Sequence, residues 1–413
     1  MNILVVSNLY PPDCVGGYEI GCCDVVDGLR KRGHQVTVLT RRPPVPISEQ
    51  TGILRLLFGC WPLSGTLPMR LIRLAGRSIA NARIMRNACA RLKPDVIYVW
   101  NLNGIPVSLV RNMRQTGIPL AWYVFDDWIS DWTGDPWVNF FRHPTQSVSR
   151  RVCKHILRSI VALFPSLTPQ EPPWGGRFQF ASTWLRNITT ARCPQTKHDT
   201  ETIAFGIDLD QFPFSREDRR PRKLLYVGQL VPHKGSHTAI AALEQLVRNG
   251  ENASVSLTIC GDSANLDYKR ALQQAAEKLS PGKVTCIGFV PRERISELYR
   301  AHDILLFPSI WEEPFGIVPL EAMASGTVVV ATGTGGSSDY LHDQVNCLLF
   351  PKEDATACAH AVQRLMNDAA LSSDLRKEAR KYIETNHLLE TVINRIEASF
   401  SQFMEHSATG IAP

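Results

Sequence analysis

The stretch Trp311-Glu312-Glu313-Pro314-Phe315-Gly316-Ile317-Val318-Pro319-Leu320-Glu321-Ala322 decides how this chain reads, because two carboxylates, Glu313 and Glu321, bracket a helix start. The apolar residues Ile317, Val318, Leu320, Ala322, Met323 and Ala324 predict a buried helix ending near Gly326, with Pro319 in its first turn, where a missing N–H costs little. Free N–H groups at that start would face an anion lying between the acids. Carboxylates only accept hydrogen bonds, so a pair held apart suits two hydroxyl clusters of one elongated ligand. Eight helical residues would span roughly 12 Å, the length of a sugar, a diphosphate and a ribose in line. Paired acids that cleave a glycosidic bond sit about 5 to 9.5 Å apart, so Glu313 and Glu321 read as clamps on a sugar and a ribose. The competing reading makes Glu313 a solvated loop residue and Glu321 a capping or ion-paired group.

Outward from this stretch, short apolar segments alternate with helical patterns. A chain of 413 residues exceeds one ordinary core and fits two domains of about 200 residues. In the first half, strands are expected at 3–7, 35–40, 95–100, 120–125, 161–164, 178–181 and 202–205, with helices at 19–31 and 67–92. The second half repeats the pattern, with strands at 223–228, 256–260, 284–287, 304–307, 327–331 and 347–350. Helices between short apolar strands imply parallel sheets covered on both faces, an α/β fold of two Rossmann-like, doubly wound domains. The join is expected at 208–222, a charged run with little apolar content. Ligands of such sheets bind outside the carboxyl ends of the strands, which places the expected site in a cleft between the domains.

Composition narrows the class. Hydrophobic residues make up 44% and charged residues 20%, no apolar run approaches the length of a bilayer span, and the N-terminus reads as a first buried strand rather than a leader. Eleven cysteines without a C-x-x-C pair argue against a disulfide framework or a zinc site and for a reducing, cytoplasmic setting. Residues 1–200 hold 24 of the 45 Lys/Arg but only 12 of the 39 Asp/Glu. Between residues 50 and 94 there is no acid at all, while Arg55, Arg70, Arg73, Arg77, Arg83, Arg86, Arg91 and Lys93 alternate with apolar residues. Two readings stay open for this stretch: a peripheral contact with an anionic membrane surface, or a solvated helix face packed on the first sheet. Nucleic acid is not expected, since no zinc spacing, RNA-binding aromatic motif or basic zipper accompanies the charge.

The opening stretch resembles the hallmark of glycosyltransferase family 4, retaining enzymes of the GT-B fold, whose pattern is E-x-F-G-x-x-x-x-E-A. Three further segments are similar to family motifs in the same order. They are Pro11-Pro12-Asp13-Cys14-Val15-Gly16-Gly17-Tyr18-Glu19, then Val227-Gly228-Gln229-Leu230-Val231-Pro232-His233-Lys234-Gly235, then Gly335-Gly336-Ser337-Ser338-Asp339. Phe205-Gly206-Ile207-Asp208 followed by Phe212 resembles the family phrase at the domain join. This implies an acceptor domain at 1–207, a nucleotide-sugar domain at 208–387, and a terminal helix at 388–405 that packs back on the first.

The resemblance also implies roles. Glu313 would hold the donor sugar, Glu321 the ribose, and Lys234 the diphosphate, helped by Phe315, Gly316 and Ile317 at the helix start and by backbone amides near Gly16 and Gly17. Val290 would meet the nucleobase through backbone groups. Two departures stand out. Gln229 replaces the usual arginine, giving neutral hydrogen bonds instead of a forked charge. Asp126 stands nearest to where many members carry a histidine; it would accept from a sugar or acceptor hydroxyl, or simply cap the next helix. The tryptophans around it, Trp122, Trp128, Trp132 and Trp137, are candidates for a stacking wall. Asp339 in place of the usual Glu is a milder change.

The implied reaction is metal-independent transfer from a UDP- or GDP-linked sugar to a carbohydrate or lipid-linked acceptor hydroxyl. It needs no cofactor beyond that nucleotide-diphosphate sugar as co-substrate. A GT-B sugar-nucleotide epimerase and a catalytically inactive sugar-nucleotide-binding subunit are the alternatives.

Overall fold

The computed structural model describes residues 1–14, 16–145, 147–164, 167–214, 222–250 and 255–408. Residues 215–221 of the expected join therefore lie outside the described residues. Contacts divide the chain into two units, Met1–Ile203 with Ile393–Pro413, and Ala204–Val392.

The first unit opens with β1 (Asn2–Ser7), α1 (Gly17–Lys31), β2 (Gln35–Arg41), β3 (Ile53–Leu57) and α2 (Leu67–Leu92). It continues through β4 (Val96–Asn101), α3 (Ser108–Arg114), β5 (Leu120–Val124), α4 (Pro136–Arg142) and α5 (Val148–Ala162), then β6 (Arg177–Phe180), α6 (Thr183–Arg192) and β7 (Thr200–Thr202). Its seven strands run parallel in the order β3-β2-β1-β4-β5-β6-β7. Every residue of β4 and β5 is buried, as expected for strands covered on both faces. Register is set along β1, where Ile3 pairs with Val36 on one side and Val96 on the other. The strand order reverses between β1 and β4, so the loop after β1, which carries Gly16, lies at the switch point where such sheets place their ligands.

The second unit contains β8 (Lys223–Val227), α7 (Ser236–Arg248), β9 (Ser256–Cys260), α8 (Leu266–Glu277), β10 (Val284–Gly288) and α9 (Arg292–Ala301). It ends with β11 (Ile304–Phe307), α10 (Val318–Ser325), β12 (Val328–Ala331), β13 (Leu348–Leu349), α11 (Ala355–Asn367) and α12 (Ala369–Asn386). Its six parallel strands follow the order β10-β9-β8-β11-β12-β13. Here the reversal falls between β8 and β11. The loops leaving these two strands hold Lys234 and Glu313, so topology alone makes them neighbours.

The last helix, α13 (Leu389–Ala408), joins the first unit from Ile393 onward. There Glu397 receives Arg32 at 2.5 Å and His34 at 2.7 Å, and Phe400 meets Tyr98 edge-on.

Three expectations are corrected. The strand expected at 161–164 does not form. Val161 lies in the last turn of α5 and packs with Cys60, Leu74, Trp137, Phe141 and Leu167, an apolar run at a helix end having no period of its own. Conversely, Ile53–Leu57 is an edge strand, paired with β2, where the sequence suggested only a basic apolar segment. The tryptophans form no exposed wall: Trp122, Trp128, Trp132 and Trp137 are all buried. Trp122 stacks on Phe178 with ring centroids 5.5 Å apart, and Trp174 packs against both Trp122 and Trp128.

Candidate functional site

Lys234 ends a single 3-10 turn, Pro232–Lys234, after β8. The Tyr226 hydroxyl donates to the carbonyl oxygens of Gln229 and Lys234 at 3.0 and 3.4 Å, tying the loop down over the strand end. Gly235 follows with φ +71°, and a Cβ there would lie 1.9 Å from the Pro308 carbonyl oxygen. Only glycine lets the β8 loop approach the end of β11 so closely. The backbone carbonyl of His233 then accepts from the amides of Ile310 and Trp311, at 2.9 and 3.1 Å.

That docking delivers the Lys234 ammonium to Glu313. Nζ donates to Oε1 at 2.8 Å and to Oε2 at 2.9 Å. The Glu313 side chain is 4% exposed and that of Lys234 28%. Ser309 Oγ donates to the same carboxylate at 2.6 Å, and the Glu313 carbonyl accepts from the Gly336 amide at 2.5 Å. Glu313 is therefore a fixed, buried acid rather than a solvated loop residue.

Beyond it the chain turns at Gly316, φ +85°, whose carbonyl accepts from the Tyr340 hydroxyl. Burial holds the Tyr340 phenol well above its ordinary pKa, so it stays a donor. Phe315 is buried against Tyr340 and His387. Ile317 precedes α10 without any side-chain cap, Pro319 occupies the first turn, and Gly326 closes the helix at φ +84°. The helix start is as the sequence predicts, but Glu313 lies in the loop before it, so the span between the two acids is not wholly helical.

Glu321 faces different company. Arg292 pairs with its Oε1 and the Tyr299 hydroxyl donates to Oε2 at 2.9 Å. Burial keeps the Tyr299 phenol protonated. The ion-paired alternative for Glu321 thus describes its ground state here, while a carboxylate with two oxygens retains further acceptor capacity.

Of the remaining candidates in this unit, Gln229 is exposed on the β8 loop. Gly228 and Gly261 allow the β8 and β9 loops to touch, since a Cβ on Gly261 would lie 1.8 Å from the Gly228 carbonyl oxygen. Val290 is half-buried after β10, and its backbone bonds the Cys260 thiol, which burial pushes up to about 11.

Gly16, Gly17 and Asp126 belong to the first unit. Gly16 caps α1, its amide donating to Glu19 Oε2 at 3.0 Å, and Gly17 begins the helix. Tyr18 anchors this start by donating to the carbonyls of Trp100 and Tyr123 at the ends of β4 and β5. Asp126 is half-buried and extended, ahead of a 3-10 turn that its side chain does not cap. Its neighbour Asp127 is structural, accepting from Ser130, Thr189 and Arg192 at 2.5, 2.8 and 2.6 Å.

Four partners escaped the sequence: Ser309, Arg292, Tyr299 and Tyr340. Ser309 stands four residues before Glu313 in the loop leaving β11, which is the one signal available; the others are distant in sequence. Among the described residues, no group of His, Cys, Asp and Glu side chains is placed to hold a metal ion.

Two parallel α/β units, with an acid–lysine pair at the switch point of the second, have the architecture of the GT-B glycosyltransferase fold. The HepE protein of Anabaena, crystallised with UDP and glucose, superposes with a TM-score of 0.70 at 20% identity, covering 97% of this chain and 99% of its own. Residues 15–211 match the description Glycosyltransferase Family 4 and residues 209–382 match Glycosyl transferases group 1. A glycogen synthase of Mycobacterium tuberculosis is 33% identical over 95% of this chain and 92% of its own length. A D-inositol 3-phosphate glycosyltransferase of Corynebacterium urealyticum is likewise 33% identical, over 86% and 83%. The chain belongs to the group 1 glycosyltransferases of family 4.

Proposed function

We propose that this chain transfers a glycosyl group, with retention, from a nucleotide-diphosphate sugar to an acceptor hydroxyl in the synthesis of a polysaccharide, glycolipid or other glycoconjugate. The second unit takes the donor, and the first unit, with Asp126, serves the acceptor. One observation carries this: Lys234, on the loop after β8, is locked onto Glu313, on the loop that leads into the uncapped start of α10.

The pair works by exchange of partners. A diphosphate at the helix start competes for the Lys234 ammonium and draws it from Glu313, leaving that buried carboxylate to accept from sugar hydroxyls. Ser309 holds the carboxylate in place while its cation turns to the phosphate. As the bond to the sugar breaks, Lys234 and the α10 amides stabilise charge gathering on the diphosphate, an electrostatic contribution made mainly in the transition state and requiring no metal. Glu321 takes the ribose through its remaining lone pairs, oriented by Arg292 and Tyr299. Gln229 contributes neutral hydrogen bonds, and Val290 meets the base through its backbone.

The test is a panel of UDP- and GDP-sugars scored for hydrolysis and transfer. A second crystal of Anabaena HepE, in complex with UDP-glucose, makes that sugar nucleotide the first donor to try. Glu313→Ala and Lys234→Ala are each expected to lower turnover by roughly two to three orders of magnitude, as when a transition-state donor is lost. Turnover by the intact protein with both variants unaffected would refute the assignment, and release of a rearranged sugar nucleotide without acceptor would replace transfer by epimerisation.

A further inference from the structure

We propose that the face of the first unit built by α5 and the start of α2 docks on an anionic lipid surface. This goes beyond the transfer reaction and does not depend on it. α5 turns Val148, Val152 and Ile156 outward at helical spacing, 70, 54 and 58% exposed, and Leu163 follows at 76%. Ahead of α2, Trp61 is 59% exposed, and in its second turn Ile72 is 72% exposed. Beneath them the two helices share one apolar cluster, in which Leu71, Leu74 and Ile79 join Leu157 and Val161. Trp61, Ile72 and Ile156 each adjoin in sequence a member of that cluster, Cys60, Leu71 and Leu157, whereas exposed apolar residues on an ordinary surface are scattered singly.

Charge identifies the partner. Residues 136–170 contain five Lys/Arg and two His but no Asp or Glu. Arg151 and Arg158 are exposed beside the apolar stripe of α5. A cavity of about 450 Å³ is lined by Phe141, Arg142, Arg158, Thr168, Pro169 and Gln170. Its two guanidinium groups are held in place, Arg158 donating to the Phe141 carbonyl at 2.8 Å and Arg142 lying 4.8 Å from the centre of the Trp132 ring. Forked donors of this kind suit a lipid phosphate. An apolar stripe flanked by cations and free of acids is the pattern of a helix lying in a membrane interface, while a nucleic-acid surface has no use for the stripe. No described helix is long and apolar enough to cross a bilayer, so the contact is along its surface.

The arginine-rich stretch at 50–94 contributes less than its composition suggests. Arg55 donates to the carbonyls of Tyr10 and Pro11, Arg73 to that of Ser64, and Arg77 to those of Gly59 and Pro62. Those guanidinium groups pin the chain's own loops. The docking surface is accordingly assigned to α5 rather than to that stretch as a whole.

Cosedimentation of the full chain with vesicles tests this, comparing phosphatidylcholine alone with equal parts phosphatidylcholine and phosphatidylglycerol. The intact protein is expected to bind the mixed vesicles and not the neutral ones. Val152→Glu with Ile156→Glu should weaken binding by at least about tenfold, and Arg151→Ser alone by about fivefold. All three positions are exposed, so the fold is expected to tolerate the changes, and circular dichroism with donor hydrolysis in the absence of lipid provides the check. Equal binding to both vesicles, no binding to either, or unchanged binding by both variants would overturn the proposal.

Discussion

Replacing Lys234 by Met should destabilise the second unit far more than replacing Glu313 by Gln, because the two changes leave different charges behind. The ammonium lies 2.8 and 2.9 Å from the two carboxylate oxygens, with the acid 4% and the lysine 28% exposed. At an effective dielectric of about 20 the gross attraction is about 6 kcal/mol. Stranding one partner of a fully buried pair typically costs about 3–5 kcal/mol; the partial exposure of Lys234 reduces this to about 3 kcal/mol here. Ser309 remains as the carboxylate's hydrogen-bond donor. In Glu313→Gln the stranded group is the lysine, which can turn to water, and the amide still accepts from Ser309, so about 1 kcal/mol is expected. The double variant strands neither charge and should lie close to Glu313→Gln. Urea unfolding of the four proteins gives the coupling directly, expected at about 3 kcal/mol, and Lys234→Met alone should lower the midpoint of thermal unfolding by roughly 6–12 °C for a unit of this size. Additive effects, or a Lys234→Met cost no larger than that of removing an exposed lysine such as Lys381, would refute the buried-pair reasoning.

Backbone geometry and pH supply two further expectations. Gly235→Ala combines φ +71° with a Cβ 1.9 Å from the Pro308 carbonyl and should cost more than about 3 kcal/mol, whereas Gly282→Ala, at φ +81° with nothing within 4 Å, should cost only about 1 kcal/mol in the same denaturation assay. His387 is buried, with Nδ1 donating to the Phe205 carbonyl at 2.9 Å, and burial lowers its pKa below the ordinary 6.5. A lowered histidine pKa means the unfolded chain binds the proton more tightly, so this contribution is complete above pH 6.5 and lost as pH falls toward the folded-state pKa. The unfolding midpoint should drop in that acidic window, and His387→Gln should flatten the drop; an unchanged slope in the variant would contradict it.

The parts of this molecule legible in the sequence are those with a local period or a steric demand. Strands such as β4 and β11 are buried on both faces and read as continuous apolar runs, and α10 announces itself through Pro319 near its start and Gly326 at its end. The edge strand β3 is only partly buried and carries Arg55, so its pattern was ambiguous. Of the apolar run 161–164 only Val161 seals the helix–helix cluster, while Leu163 and Phe164 are exposed beyond the helix end, and a short apolar run cannot distinguish this from a strand. At the site, Glu313 and Lys234 were visible as motif residues, but their pairing across 79 positions follows from the strand order, not from any local pattern. Arg292 and Tyr299 were invisible for the same reason: nothing near them in sequence says that their partner is Glu321.

The most direct measurement of the central claim is a crystal structure of the protein with a bound nucleotide-diphosphate sugar. The diphosphate should lie at the start of α10, with Lys234 Nζ moved from Glu313 onto a phosphate oxygen and Glu313 accepting from the sugar. A donor bound elsewhere, with the Lys234–Glu313 pair intact, would contradict the account.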